Sequence, residues 1–189
     1  MPCVFITGPV RSGKSRFAER LALERGGDVT YVATARVDPD DREWVERIAH
    51  HARRRPAHWR LIETAAHGAP SLEAIAREAG QAQTLVVDSF GTWLAAMMTP
   101  EADALELERR ANSAIEALIA ARAYAIVVGE EVGWGIVPEY PAGRMFRDVL
   151  GRAQQRLAAG SSLSYLAVAG FAIDLRATGI VIVEKLQKM

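Results

Sequence analysis

The chain has 189 residues, half of them apolar, and its 23 basic and 23 acidic side chains balance to a formal net charge of zero. That length and composition suit one domain with a sizeable core and exclude a disordered chain, and the charge balance excludes a global field that would recruit nucleic acid or a membrane. A single cysteine, Cys3, cannot form an intrachain disulfide, and no apolar run approaches the length of a membrane span. With no signal peptide ahead of the first strand, these features lead us to expect a cytoplasmic protein with no membrane and no nucleic-acid partner.

The first element is the most informative. Cys3-Val4-Phe5-Ile6-Thr7 is an apolar, β-branched run that reads as a buried strand. It enters Gly8-Pro9-Val10-Arg11-Ser12-Gly13-Lys14-Ser15, and a helical pattern with Phe17 and Leu21 follows. Strand, G-x-x-x-x-G-K-S and helix together are a P-loop in its required context. Gly8 and Gly13 allow the tight turn that points successive amides at a phosphate, and the helix N-terminus adds positive partial charge. Lys14 reaches the terminal phosphates, and the Ser15 hydroxyl suits a Mg²⁺ ligand.

Val29-Thr30-Tyr31-Val32-Ala33 reads as a second strand, ending at Thr34 and Ala35. Asp38-Pro39-Asp40-Asp41 starts a helix over about Arg42 to Arg54. At about 100° per residue, Trp44, Val45, Ile48 and Ala52 share one face of it, with His51 at the margin. His50 falls nearly opposite, among Glu46, Arg47, Arg53 and Arg54. After Pro56 an extended segment runs from His58 to Glu63, and Ser71 caps a short helix. Thr84-Leu85-Val86-Val87-Asp88 is apolar until its terminal acid, which suits a central parallel strand ending at a metal.

Pro100 precedes a long helical pattern over about 101 to 122, and Tyr124-Ala125-Ile126-Val127-Val128 makes another strand. The loop Gly129-Glu130-Glu131-Val132-Gly133-Trp134-Gly135-Ile136-Val137-Pro138 is glycine-rich and apolar together, as suits a ligand cover or an interface. A helix over about 143 to 158 and a strand over 164–169 follow, and Ile180-Val181-Ile182-Val183-Glu184 reads as a last strand or a tail. Strands alternating with helices predict one α/β domain with a mostly parallel sheet, helices on both faces, nucleotide at the strands' carboxyl ends, and a less defined segment after about 172.

Three classes fit these residues: a small-molecule kinase, a nucleotidyltransferase with a covalent intermediate, or a nucleotide switch. His50 separates them. A neutral imidazole can attack an α-phosphorus and hold a nucleotide as a phosphoramidate, with Arg53, Arg54 and Arg55 one turn onward to steady the pyrophosphate leaving group. A nucleic-acid binder has only that arginine cluster in its favour.

Several segments together resemble the bifunctional adenosylcobinamide kinase/adenosylcobinamide-phosphate guanylyltransferase family of cobalamin biosynthesis. They are residues 6–15, Arg47-Ile48-Ala49-His50-His51 with Arg55-Pro56-Ala57-His58-Trp59, Glu131-Val132-Gly133-Trp134-Gly135-Ile136-Val137-Pro138-Glu139, and Phe146-Arg147-Asp148 with Gln155-Arg156-Leu157-Ala158. The resemblance implies a RecA-like P-loop NTPase fold and a homo-oligomer, a trimer. It implies phosphorylation of adenosylcobinamide by GTP or ATP, then transfer of GMP from GTP to its phosphate through a histidine matching His50. Nucleotide contacts are implied at Gly8, Pro9, Val10, Arg11, Ser12, Gly13, Lys14, Ser15, Thr34, Arg53, Arg54, Arg55, Glu63 and Asp88, with Mg²⁺ on Ser15 and Asp88. The chain departs from the family's usual asparagine at Glu130 and at Gln154, and in its segment after Phe171.

Overall fold

The computed structural model describes residues 2–99 and 101–182. Pro100, and Val183 and Glu184 at the end of the expected last strand, lie outside them. Among the described residues the chain forms β1 (Cys3–Thr7), α1 (Lys14–Arg25), β2 (Asp28–Ala33), α2 (Arg42–Arg54), β3 (Arg60–Glu63), α3 (Leu72–Glu78) and β4 (Gln83–Asp88). It continues through α4 (Phe90–Ala95), α5 (Ala104–Ala120), β5 (Tyr124–Val128), α6 (Pro141–Gly160), β6 (Leu163–Val168), β7 (Phe171–Asp174) and α7 (Leu175–Thr178).

The strands make one sheet in the order β3-β2-β4-β5-β1-β6-β7, parallel throughout except where β7 pairs antiparallel with β6. Successive side chains of a strand point to opposite faces, so the continuous apolar runs serve two cores. Cys3 and Phe5 of β1 join α3, α4, α5 and α6 through Leu72, Leu94, Ile115 and Leu150. Val4 and Ile6 face the other way, onto Ala18 and Ala22 of α1 with Tyr31 and Trp59. Each large side chain fully buried there stabilises the fold by about 1.5–3 kcal/mol.

Three expectations change. The sequence pattern assigned nothing to α4, which Ser89 caps through its side chain and Thr92 completes as a capping box. The segment after 172 is ordered into elements as far as Thr178: β7 extends the sheet, Asp174 caps α7, and Arg176 donates to the carbonyls of Ala158 and Ala159 at the end of α6. Ile180 to Ile182 form no strand and are exposed. Elsewhere the boundaries move by a few residues; α6 begins at Pro141, whose fixed φ suits a first helical position.

Parallel pairing aligns the carboxyl ends. Asp88 stands level with Ala33 of β2 and Val128 of β5, Ala33 with Glu63 of β3, and Val128 with Ile6 of β1. One rim of the sheet therefore presents the P-loop, Thr34, Glu63, Asp88 and Glu130 together.

Candidate active site

The phosphate loop is built by backbone contacts from both flanks. The Ser12 N–H donates to the Pro9 carbonyl at 3.3 Å, the Glu131 N–H to the Gly8 carbonyl at 3.0 Å, and the Gly170 N–H to the Ser12 carbonyl at 3.1 Å. A Cβ at Gly8 would strike the Ala167 carbonyl, and Gly13 takes φ 98° to open α1. Val10 and Arg11 are exposed, Pro9 and Ser15 half-buried, and Ser12 Oγ is enclosed with no protein partner.

Lys14 is only 7% exposed, its Nζ donating to the Pro9 carbonyl at 3.2 Å. Burial lowers its pKa, opposed by the negative charges of Glu130 and Asp88. Asp88 Oδ2 accepts from the Tyr31 hydroxyl at 2.5 Å, and His51 Nδ1 lies 3.9 Å from it. Burial, then the charge and hydrogen bond of Asp88, raise the Tyr31 pKa, so the phenol stays a donor.

Behind Asp88 stands a corner made by side chains. Thr34, fully buried, accepts the Ser89 N–H at 2.7 Å and donates to the Ser89 carbonyl at 2.7 Å, with Thr92 Oγ1 2.5 Å away. Its hydroxyl thus shapes the turn that carries Asp88. Glu130 closes the corner from β5, accepting from the Ser89 hydroxyl and from the Gly91 N–H at 3.0 Å. Burial raises the Glu130 pKa, while the Ser89 hydrogen bond and the Lys14 charge draw it back. Gln154 supports the same strand end, donating to the Glu130 carbonyl at 2.9 Å and accepting from Thr7 at 2.6 Å.

Helix α2 carries the two histidines, and its orientation differs from the expected one. Trp44, Ile48, His51 and Arg55 form the half-buried stripe, whereas Val45 and Ala52 are exposed. His51 therefore sits centrally on the inward side and not at its margin, because polar partners on the body outweigh the apolar face. Burial lowers the His51 pKa despite the nearby Asp88 carboxylate, keeping the ring neutral. His50 is exposed, its ring centroid 6.3 Å from that of His51.

The three arginines expected to act together part company. Arg53 is exposed, Arg54 Nη2 donates to Glu19 Oε1 at 2.9 Å, and the Arg55 guanidinium covers the Tyr31 ring at 4.6 Å. Glu63 is exposed at the end of β3. Sequence reading missed Glu19, Tyr31, Ser89 and Thr92; only the Ser89-x-x-Thr92 cap could have been seen in it. Cavities of about 370 Å³ beside Arg77 and Arg122, and about 200 Å³ beside Asn112 and Arg152, lie between helices and touch none of these residues. The phosphate loop is an open cradle of backbone amides at the sheet's rim, away from both cavities.

A phosphate loop with a buried lysine, fed by the first strand of a parallel sheet and faced by an acid two strands away, defines a P-loop nucleotide-binding α/β domain. A family model described as cobinamide kinase / cobinamide phosphate guanyltransferase matches residues 4–175, and the chain belongs to that family. It is therefore a bifunctional enzyme, a kinase and a guanylyltransferase. The bifunctional adenosylcobalamin biosynthesis protein CobU of Escherichia coli (strain K12) is 34% identical over 185 residues, covering 92% of this chain and 99% of its own. The bifunctional adenosylcobalamin biosynthesis protein CobP of Pseudomonas aeruginosa is 38% identical over 171 residues, covering 90% of this chain and 95% of its own. A crystal structure of the RadB recombinase shares 16% identity and a TM-score of 0.47, covering 87% of this chain and 73% of its own.

Proposed function

We propose that the chain phosphorylates adenosylcobinamide with GTP or ATP and then guanylylates the product through His50, within cobalamin biosynthesis. In the first step the substrate hydroxyl oxygen attacks the γ-phosphorus, the bond to the β-bridging oxygen breaks, and a nucleoside diphosphate leaves. In the second, a His50 ring nitrogen attacks the α-phosphorus of GTP, pyrophosphate leaves, and GMP remains on the ring. A phosphate oxygen of adenosylcobinamide phosphate then displaces His50 and gives adenosylcobinamide-GDP. The amides of residues 8–15 grip the triphosphate, and Lys14 answers the charge that moves to the leaving group. Glu63 at the end of β3 and the exposed Arg53 of α2 offer further polar contacts. The observation that carries this reading is that His50 alone of the pair stands exposed, on a helix whose inward side already meets Asp88 through His51.

A Mg²⁺ ion fits the donor set. Asp88 ends half-buried at the rim, and the Ser15 hydroxyl lies in the first turn of α1. Among the described residues no three His, Cys, Asp or Glu side chains gather into a metal cage. Asp88 and the Ser15 hydroxyl would supply one carboxylate and one hydroxyl to such an ion, phosphate oxygens and water completing its shell. When bound, it would neutralise phosphate charge; Asp88 and Ser15 orient it. We also propose a trimer working in the cytoplasm. Among the described residues no helix is long and apolar enough to cross a membrane. The loop over 132–137 is strapped to α6 by Arg147 yet leaves Trp134 exposed and Ile136 97% exposed, an apolar surface suited to a neighbouring subunit or the corrinoid.

The test is GTP labelled at the α-phosphate, followed by mapping of the acid-labile adduct. Label on His50, lost in His50→Ala while ATP-dependent phosphorylation of the corrinoid persists, supports the reading. Label on His51, or none, sinks it.

A further inference from the structure

Helix α2 is fastened to the body in an unusual way. None of its thirteen residues is fully buried, and its apolar side chains Trp44 and Ile48 reach only half-burial. Asp41 caps the Trp44 amide, and Trp44 Nε1 donates to the Arg36 carbonyl of the preceding loop at 2.9 Å. The ties to the body are polar: Arg55 lies over Tyr31, and His51 Nδ1 stands 3.9 Å from Asp88 Oδ2. The tie that reaches deepest is the one from Arg54 to Glu19. Glu19 stands on α1, the helix that the phosphate loop opens, and is 6% exposed. A carboxylate taken that far out of water is costly unless a cation answers it, and Arg54 does so from 35 residues away at 2.9 Å.

Arg54 is committed inward. Its Nη2 serves Glu19 and lies 3.4 Å from His51 Nδ1, and its Nε is enclosed without an acceptor. Along α2, Arg54 follows His50 by one turn, and the two project about 40° apart around the axis. Whatever fixes the rotation of Arg54 therefore fixes that of His50.

We infer that the Glu19–Arg54 ion pair is the pin that sets how α2 is rotated against the phosphate-loop helix, making Glu19 and Arg54 positioning residues for the histidine step. The pin acts through His50 and touches no reacting atom. Its consequence for chemistry rests on the reading that His50 carries GMP; its consequence for α2 does not.

The experiment compares wild type with Glu19→Gln, Arg54→Ala and the double variant, in the full chain. Amide exchange of the peptide 42–55 without nucleotide reads the pin directly. Formation of the α-labelled adduct at saturating GTP reads His50, and the ATP-dependent phosphorylation rate of Glu19→Gln reads the rest of the site. Loss of the pin should speed α2 exchange about tenfold and slow adduct formation about tenfold to a hundredfold, the usual effect of a small misplacement. Phosphorylation by Glu19→Gln should stay within about twofold. Arg54→Ala leaves a buried carboxylate unanswered and can unfold; the double variant removes that charge, and should fold with α2 still fast-exchanging.

Unchanged α2 exchange in Glu19→Gln and in the double variant overturns the pin. So does an equal fall of both chemical steps with α2 protection intact. A wild type that forms no adduct, beside a Glu19→Gln variant that loosens α2, keeps the pin and removes the histidine reading instead.

Discussion

Glu130 Oε2 accepts the Gly91 N–H at 3.0 Å in a space that exists only because residue 91 has no side chain; a Cβ there would strike the same oxygen. The contact joins the end of β5 to the first turn of α4, just beyond Asp88. Gly91→Ala should therefore force Glu130 out of its seat, at a cost of about 1–3 kcal/mol. For a chain of this size that lowers the melting temperature by roughly 2–12 °C. A thermal melt checks it, and Glu130→Ala in the same background should recover part of the loss.

The charge on Glu130 has its own signature. Burial raises its pKa in the fold, so the folded chain holds that proton more tightly than the unfolded one. The stability it contributes is fully present below the ordinary carboxylate value and is lost as pH rises through the raised one. Glu130→Gln keeps the acceptor for Gly91 without that slope. Unfolding free energies from urea titrations should shift in favour of the glutamine variant as pH climbs from about 4 to about 7. A constant difference would mean that the carboxylate is not desolvated.

Thr34 offers a test of the corner apart from the nucleotide. Thr34→Val keeps the volume but removes the nearer acceptor of the buried Ser89 N–H, leaving it Thr92 Oγ1 at 3.3 Å. Losing both Thr34 hydroxyl bonds to the Ser89 backbone should cost about 1–3 kcal/mol, read by chemical denaturation. Wild-type stability in that variant would show that the Ser89 turn is held by Thr92 and Glu130 without it.

On the proposed reading, Lys14 bears on both reactions. Lys14→Ala should slow phosphorylation and guanylylation alike, each by about two to three orders of magnitude, if the same ammonium meets the triphosphate in both. Steady-state rates with GTP in the two half-reactions decide it, and full activity in either would place that step elsewhere.

What could be read from the chain beforehand follows from how locally each feature is encoded. The run from Cys3 into Lys14 is contiguous, and the central strands are apolar from end to end, so the nucleotide seat and the sheet's middle declared themselves. The bounds of α2 did too, through Asp41 and Pro56. Its rotation did not. Trp44, Val45, Ile48 and Ala52 suggested an inward face, but partners at Glu19, Tyr31 and Asp88 turned the helix toward His51 and Arg54. Helix α4 and strand β7 span six and four residues, too short for any periodicity to show. Glu130 looked like a departure without a purpose until Gly91, 39 positions away, supplied one.

Cys3 lies 3% exposed in β1, its sulfur accepting from the Ser161 hydroxyl at 3.5 Å, and burial raises its pKa. With no other thiol in the chain, an alkylating reagent finds its target only when β1 leaves the sheet. A ligand that binds only the closed form must slow that reaction by the factor 1 + [L]/Kd. One sulfur atom thus serves as a clock, running without any added dye, for how often the nucleotide seat comes apart.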